Sequence, residues 1–140
     1  FELWKFGPVI QDVYVDLSEE KPELFSRFIR KAPYNDKLYE AATTFNDDEF
    51  SDNDIYLLEK IVAFARHKTA VDLVDYTHSR NSLWRKSAIK YGIFEDLEKG
   101  AVNTTQYTID FGLVFENEPE LQAYYQEAVE NRQFINALKS

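Results

Sequence analysis

Residues 51–92 read SDNDIYLLEKIVAFARHKTAVDLVDYTHSRNSLWRKSAIKYG, and the spacing of apolar positions in this stretch decides the fold class. Ser51 precedes Ile55, Leu58, Ile61, Val62 and Ala65, which recur three and four residues apart. That period predicts an amphipathic helix with a serine cap. Thr69 with Asp72 three residues later approximates a capping box, with Asp where Glu or Gln is usual, and starts a short helix through Val71, Val74 and Asp75. Ser79 or Asn81 caps a third helix that carries Trp84, Ala88 and Tyr91 and stops near Gly92. Short helices joined by tight turns make a compact helical domain. The expected class is mainly α, α+β in detail, with a minor short sheet or hairpin.

On the N-terminal side, Gly7-Pro8 is strong punctuation. Val9, Val13 and Leu17, with Ile10 and Tyr14 beside them, predict a helix holding Pro8 in its first turn. Ser18 is placed to cap a second helix, with Pro22 early, a stripe of Leu24, Phe25, Phe28 and Ile29, and Arg30 and Lys31 at its end. Residues 33–50 mix Pro33, Asn35-Asp36 and Asn46-Asp47-Asp48 turn chemistry with a segment that suits a short helix or a hairpin. On the C-terminal side, Tyr107, Ile109 and Phe111 alternate with Thr108 and Asp110, a short strand pattern. Pro119 then opens a helix whose stripe is Leu121, Tyr125, Ala128, Arg132, Ile135 and Leu138.

The chain of 140 residues has a net charge of −9, unevenly spread. Residues 1–50 carry −5, residues 51–100 are neutral and residues 101–140 carry −4. Such a balance disfavours a phosphate-binding surface, since nucleic-acid affinity rests on Lys and Arg. The absence of Cys excludes disulfides, thiolate zinc sites and Cys nucleophiles. No apolar run approaches the ~18 residues of a membrane span, and nothing resembles a signal peptide, so a cytoplasmic protein without a membrane partner is expected.

No constellation points to catalysis. His67 and His78 are the only histidines, each at a predicted helix end where an imidazole suits the dipole or fixes a turn. Ser79 beside His78 is not a triad, because no strand–Ser–helix elbow surrounds it. The four glycines form no phosphate loop, and no pair of carboxylates is singled out for acid–base work. The expectation is therefore no catalytic residue, no metal and no cofactor. The basic concentration Arg80, Arg85, Lys86 and Lys90 reads first as a solvated helix face, and otherwise as a contact for an acidic patch or phosphate. The acids Glu116, Glu118 and Glu120, with Tyr124 and Tyr125 following, head an amphipathic helix that either packs on the core or offers a partner contact.

Two blocks carry a family resemblance. The first is Phe1-Glu2-Leu3-Trp4-Lys5-Phe6-Gly7-Pro8-Val9, and the second is Leu73-Val74-Asp75-Tyr76-Thr77-His78 followed by Trp84. Together they resemble the Panacea domain, or SocA-like antitoxin domain, whose pattern is F-x-x-W-x-x-G-P-V and a later L-x-x-x-T-H followed by W. The similarity covers roughly residues 1–90. The motif residues carried over are Trp4, Gly7, Pro8, Val9, Thr77, His78 and Trp84, with Trp4 and Trp84 expected in one core. Two departures stand out: the family usually has a further amphipathic helix before the aromatic block, and a Pro where this chain has Leu83. With no Met at its start, the chain is expected to be a single domain over residues 1–140 that lacks its first helix, with an acidic strand–helix extension over 101–140.

The resemblance implies a non-enzymatic antitoxin that neutralises a cognate protein toxin by direct binding. The alternatives are an adaptor that delivers a toxin to a protease, or an acidic nucleic-acid mimic or regulator. Specificity is expected in residues 33–50 and 101–140, where the acidic charge could steer a basic toxin. The oligomeric state is left open by the sequence.

Overall fold

The computed structural model describes residues 1–19 and 23–139. The elements among them run β1 (Glu2–Trp4), β2 (Gly7–Val9), α1 (Gln11–Ser18), β3 (Ile29–Ala32), β4 (Asn35–Ala41), α2 (Asp52–Ala65), α3 (Ala70–Thr77), α4 (Leu83–Lys90), α5 (Phe94–Lys99), a 3-10 helix (Phe111–Phe115) and α6 (Pro119–Lys139). The fold is mainly α with two small two-stranded sheets, β1 with β2 and β3 with β4, as expected. The chain divides into two compact units, one of Val9–Asp75 with Phe1, the other of Glu2–Pro8 with Tyr76 to the end.

In the first unit, the predicted caps form. Ser51 accepts the Asp54 N–H at 3.3 Å while the Asp54 carboxylate accepts the Ser51 N–H at 3.0 Å, a reciprocal box at the start of α2. Thr69 and Asp72 do the same for α3, at 3.2 and 2.8 Å. Both carboxylates lie below the ordinary Asp range, Asp54 mainly through the Ser51 hydroxyl and Asp72 mainly through the Thr69 N–H.

Three expectations for the N-terminal third of the chain are corrected. Pro8 lies in β2, not in a helix; the first bond of α1 runs from the Tyr14 N–H to the Ile10 carbonyl, so the helix starts after the hairpin. Ser18 closes α1 by donating its hydroxyl to the Tyr14 carbonyl at 2.7 Å, instead of capping a second helix. The apolar stripe Leu24–Ile29 is not a helix either, and Pro22 lies outside the described residues. The Asp16 carboxylate accepts the N–H groups of Glu23, Leu24 and Phe25 at 2.7, 2.9 and 3.2 Å, which holds this segment as turns. Burial pushes the Asp16 carboxyl up, but the three N–H donors outweigh it and leave the group below its usual range. Ile29 onward then pairs antiparallel with β4, Ile29 opposite Ala41 and Arg30 opposite Glu40, so the 33–50 segment supplies the second strand of a hairpin over residues 29–41 and runs on as bends and turns. Antiparallel pairing gives the inward-facing N–H and C=O groups of both strands long-range partners, an outcome that a helical period alone does not decide. Among the described residues of this unit only Ala32 and Asp16 are buried.

The second unit holds the apolar core. Leu3, Trp84, Ala88 and Leu97 are buried together, with Tyr91, Ile93, Phe94 and Ile109 packed around them. Period-two alternation in β1 turns Leu3 inward, so Leu3 and not Trp4 supplies the strand's buried side chain. The cap of α4 is Ser82, one residue past Asn81, and it accepts the Arg85 N–H at 3.1 Å. The helix α5, unforeseen in the sequence, ends at Gly100 in a left-handed conformation. The expected strand over 105–111 reduces to one bridge, Thr108 with Glu2, because the segment lies along β1 only as far as that residue. There the Leu3 N–H donates to the Tyr107 carbonyl at 2.8 Å, and the Lys5 N–H to the Asn103 carbonyl at 2.9 Å. Asp110 then accepts the Gly112 N–H at 2.9 Å and turns the chain into the 3-10 helix.

Candidate functional site

Six of the seven motif residues lie in the second unit, clustered about the Trp84 indole; Val9, in β2, belongs to the first. Trp84 is 1% exposed, and its Nε1–H donates to the Trp4 carbonyl at 3.0 Å across eighty positions of chain. A buried indole needs such a partner. The Trp4 ring stands half-buried with its own Nε1–H on Glu2 at 2.9 Å, so its contribution to the core is a backbone acceptor. His78 stacks on Trp84, centroids 3.7 Å apart and planes 9° apart. Phe94 meets Trp84 edge-on at 6.3 Å, and the Arg85 guanidinium covers Phe94 at 4.2 Å.

Gly7 carries a φ of +121°, and a Cβ there would stand 3.1 Å from the Thr77 hydroxyl oxygen. Gly7 and Thr77 are thus in close approach, which explains in local terms why the two sequence blocks belong together. Pro8, Thr77, Ser79, Ser82, Trp84 and Ile109 border an open depression of about 430 Å³. Its lining combines apolar side chains with the hydroxyl-bearing Thr77, Ser79 and Ser82, a surface suited to contact. It presents no acid–base pair. Among the described residues, no group of three or more His, Asp or Glu could hold a metal ion, and no helix is long and apolar enough to cross a membrane.

The acidic head of α6 separates into two sets. Glu116 is ion-paired with Lys86, and Tyr125 is half-buried, its ring 5.8 Å from Phe115 and close over Gly112. Glu118, Glu120 and Tyr124 face outward, Tyr124 being 70% exposed. Lys90 pairs with Asp110 at 2.5 Å, which raises its ammonium above the ordinary value. The basic row on α4 is therefore tied internally, Lys86 to Glu116 and Lys90 to Asp110, a use for those lysines that sequence order hides. Ser87 is a further residue the sequence reading passed over: fully buried, its hydroxyl accepts the Asp110 N–H at 2.9 Å and seats the turn into the 3-10 helix. The Asp110-x-Gly112 spacing was the available signal for that turn.

A family profile described as antitoxin SocA-like, Panacea domain, matches residues 1–85. The chain belongs to the SocA-like Panacea family. No curated protein and no solved structure matches it. The matched span of this Panacea chain contains every motif residue, from Trp4 to Trp84, and stops inside α4. Leu97, which completes the core, and Ile109, which packs on it, come from the sequence beyond that span.

Proposed function

We propose that this Panacea chain is an antitoxin that neutralises a protein toxin by direct contact in the cytoplasm, with no catalytic step. The observation that carries this reading is the family match over residues 1–85. The geometry fits it: Trp4, Gly7, Thr77, His78 and Trp84 hold a core together, and none of them is arranged as a reacting group. Contact with a toxin then falls to exposed surface. Glu118, just before α6, and Glu120 and Tyr124 in its first turns are the candidates, an acidic and aromatic patch that would draw a basic partner.

The test is growth. The small protein encoded beside this chain's gene is induced alone and with the chain. Arrest by the neighbour alone and recovery on coexpression is the expected result; arrest that coexpression leaves undiminished refutes the reading. With the pair in hand, Glu118→Lys with Glu120→Lys should slow association and weaken its salt dependence. An unchanged on-rate removes the acidic patch from the interface.

A further inference from the structure

The helix α6 carries a pattern that its own chain does not use. Leu121, Tyr124, Ala128, Asn131, Ile135 and Leu138 recur at spacings of three, four, three, four and three. That is the seam of a coiled coil, a spacing that keeps one helix against another along its length. Among the described side chains of α6, only Tyr125 and Val129 are half-buried, Tyr125 against Phe115. They lie about 110° round the helix from the centre of the seam, at 100° per residue, so the seam is a separate face. It is open: Leu121 and Ile135 are 43% and 49% exposed, and Tyr124 and Leu138 are 70% and 72% exposed.

The charges beside the seam identify what covers it. With Leu121, Ala128 and Ile135 at the first position of each seven, Glu120 and Glu127 flank the seam on one side and Arg132 flanks it on the other. Among the described residues, neither Glu127 nor Arg132 has an ion pair inside the chain. In a parallel, in-register pair of helices, a residue on the first flank lies against the one five positions further on in the partner. Glu127 therefore meets Arg132 of a second copy, and a two-fold axis repeats the pair. The chain is complementary to itself along this face. An antiparallel pair would instead set the two glutamate-bearing flanks against each other. Asn131 opposite Asn131 lets the two side-chain amides hydrogen-bond across the axis, which fixes the register.

We propose that α6 pairs with α6 of a second copy of this chain as a parallel two-stranded coiled coil, with Leu121, Tyr124, Ile135 and Leu138 packed across the axis and Glu127 of each copy against Arg132 of the other. This inference does not rest on the antitoxin reading, and its test needs only the protein itself. Tyr124 belongs to both surfaces, so the pairing describes the chain free of toxin.

Sedimentation velocity over a range of concentrations should show a monomer–dimer equilibrium for the wild-type chain. Ile135→Asp should abolish the dimer while its far-UV circular dichroism spectrum matches that of the dilute wild-type chain. Glu127→Arg and, separately, Arg132→Glu should each weaken dimerisation about tenfold or more, because each sets like charges face to face twice. Mixing these two variants should restore association as a heterodimer, and so should both changes in one chain. The chain has no Cys, so Leu138→Cys reports the direction: air oxidation should link parallel copies through that single position. A wild-type chain that stays monomeric at every concentration overturns the proposal. So does a dimer indifferent to Ile135→Asp, a mixture that associates no better than its components, or a Leu138→Cys variant that forms no linked dimer; those results would assign the seam to another protein or the dimer to another surface or direction.

Discussion

Gly7 and Gly92 both have positive φ, +121° and +71°, but they differ in what surrounds them. A Cβ at Gly92 meets nothing within 4 Å, whereas one at Gly7 presses on the Thr77 hydroxyl. Gly92→Ala should therefore cost only the left-handed backbone term, about 1 kcal/mol. Gly7→Ala adds a clash in a region of φ that L-residues avoid and should cost about 2–3 kcal/mol. Denaturant melts of the two variants check this; equal losses would mean that the approach to Thr77 is unimportant. His78 has a similar role. Its ring lies flat on Trp84 and its carbonyl is within 3.5 Å of the Arg85 guanidinium. His78→Gln should lower stability by about 1 kcal/mol through lost stacking and leave toxin rescue intact once folded. A folded, fully stable variant that had lost rescue would instead place His78 at the interface.

At the scale of elements, the caps of α2 and α3 are the most exposed to solution conditions. Ser51→Ala and Thr69→Ala should each cost about 1 kcal/mol, read as loss of helicity by circular dichroism. The carboxylates of both boxes, and that of Asp16, sit below the ordinary Asp value, so the folded chain binds fewer protons than the unfolded one as that range is entered. Their contribution is whole above the unfolded value, about 3.9, and fades as pH falls through the lowered folded values. Helicity should accordingly be flat near neutrality and drop in acid. Asp54→Asn with Asp72→Asn should flatten the acid limb, and a variant with the wild-type acid limb would show that the boxes do not carry it. The turns that lead into β3 are held by Asp16 from a different element, so Asp16→Ala should speed hydrogen exchange at the Glu23, Leu24 and Phe25 amides while leaving those of the α2 cap unaffected.

For the whole molecule, burial is concentrated in one of the two units. The cluster of Leu3, Trp84, Ala88 and Leu97 has no counterpart among the described residues of the other unit, where α2 is a long helix without a buried side chain. Native-state hydrogen exchange at the lowest workable protein concentration should find the slowest amides in α4 and α5 and faster ones along α2. Protection of α2 equal to that of α4 under those conditions would contradict this division of stability.

What the sequence determined by itself was local: the boxes at Ser51 and Thr69, the ends of α2 and α3, and the start of α6 at Pro119. These depend on hydrogen bonds and periods that close within four residues, so a few neighbouring side chains suffice to specify them. The two sequence blocks meet in the fold, where Gly7 and Thr77 are in close approach and Trp84 donates to the Trp4 carbonyl. Tertiary structure alone decided the rest. Leu24–Ile29 has a helical period but yields to donors captured by Asp16 and to pairing with β4. Lys86 finds Glu116 thirty positions away and Lys90 finds Asp110 twenty away, so two cations that read as part of a solvated face are paired within the chain. Burial was decided in the same way: α2 has the pattern of a core helix and is left uncovered, because a period states which face is apolar and only the folded chain states what lies against it.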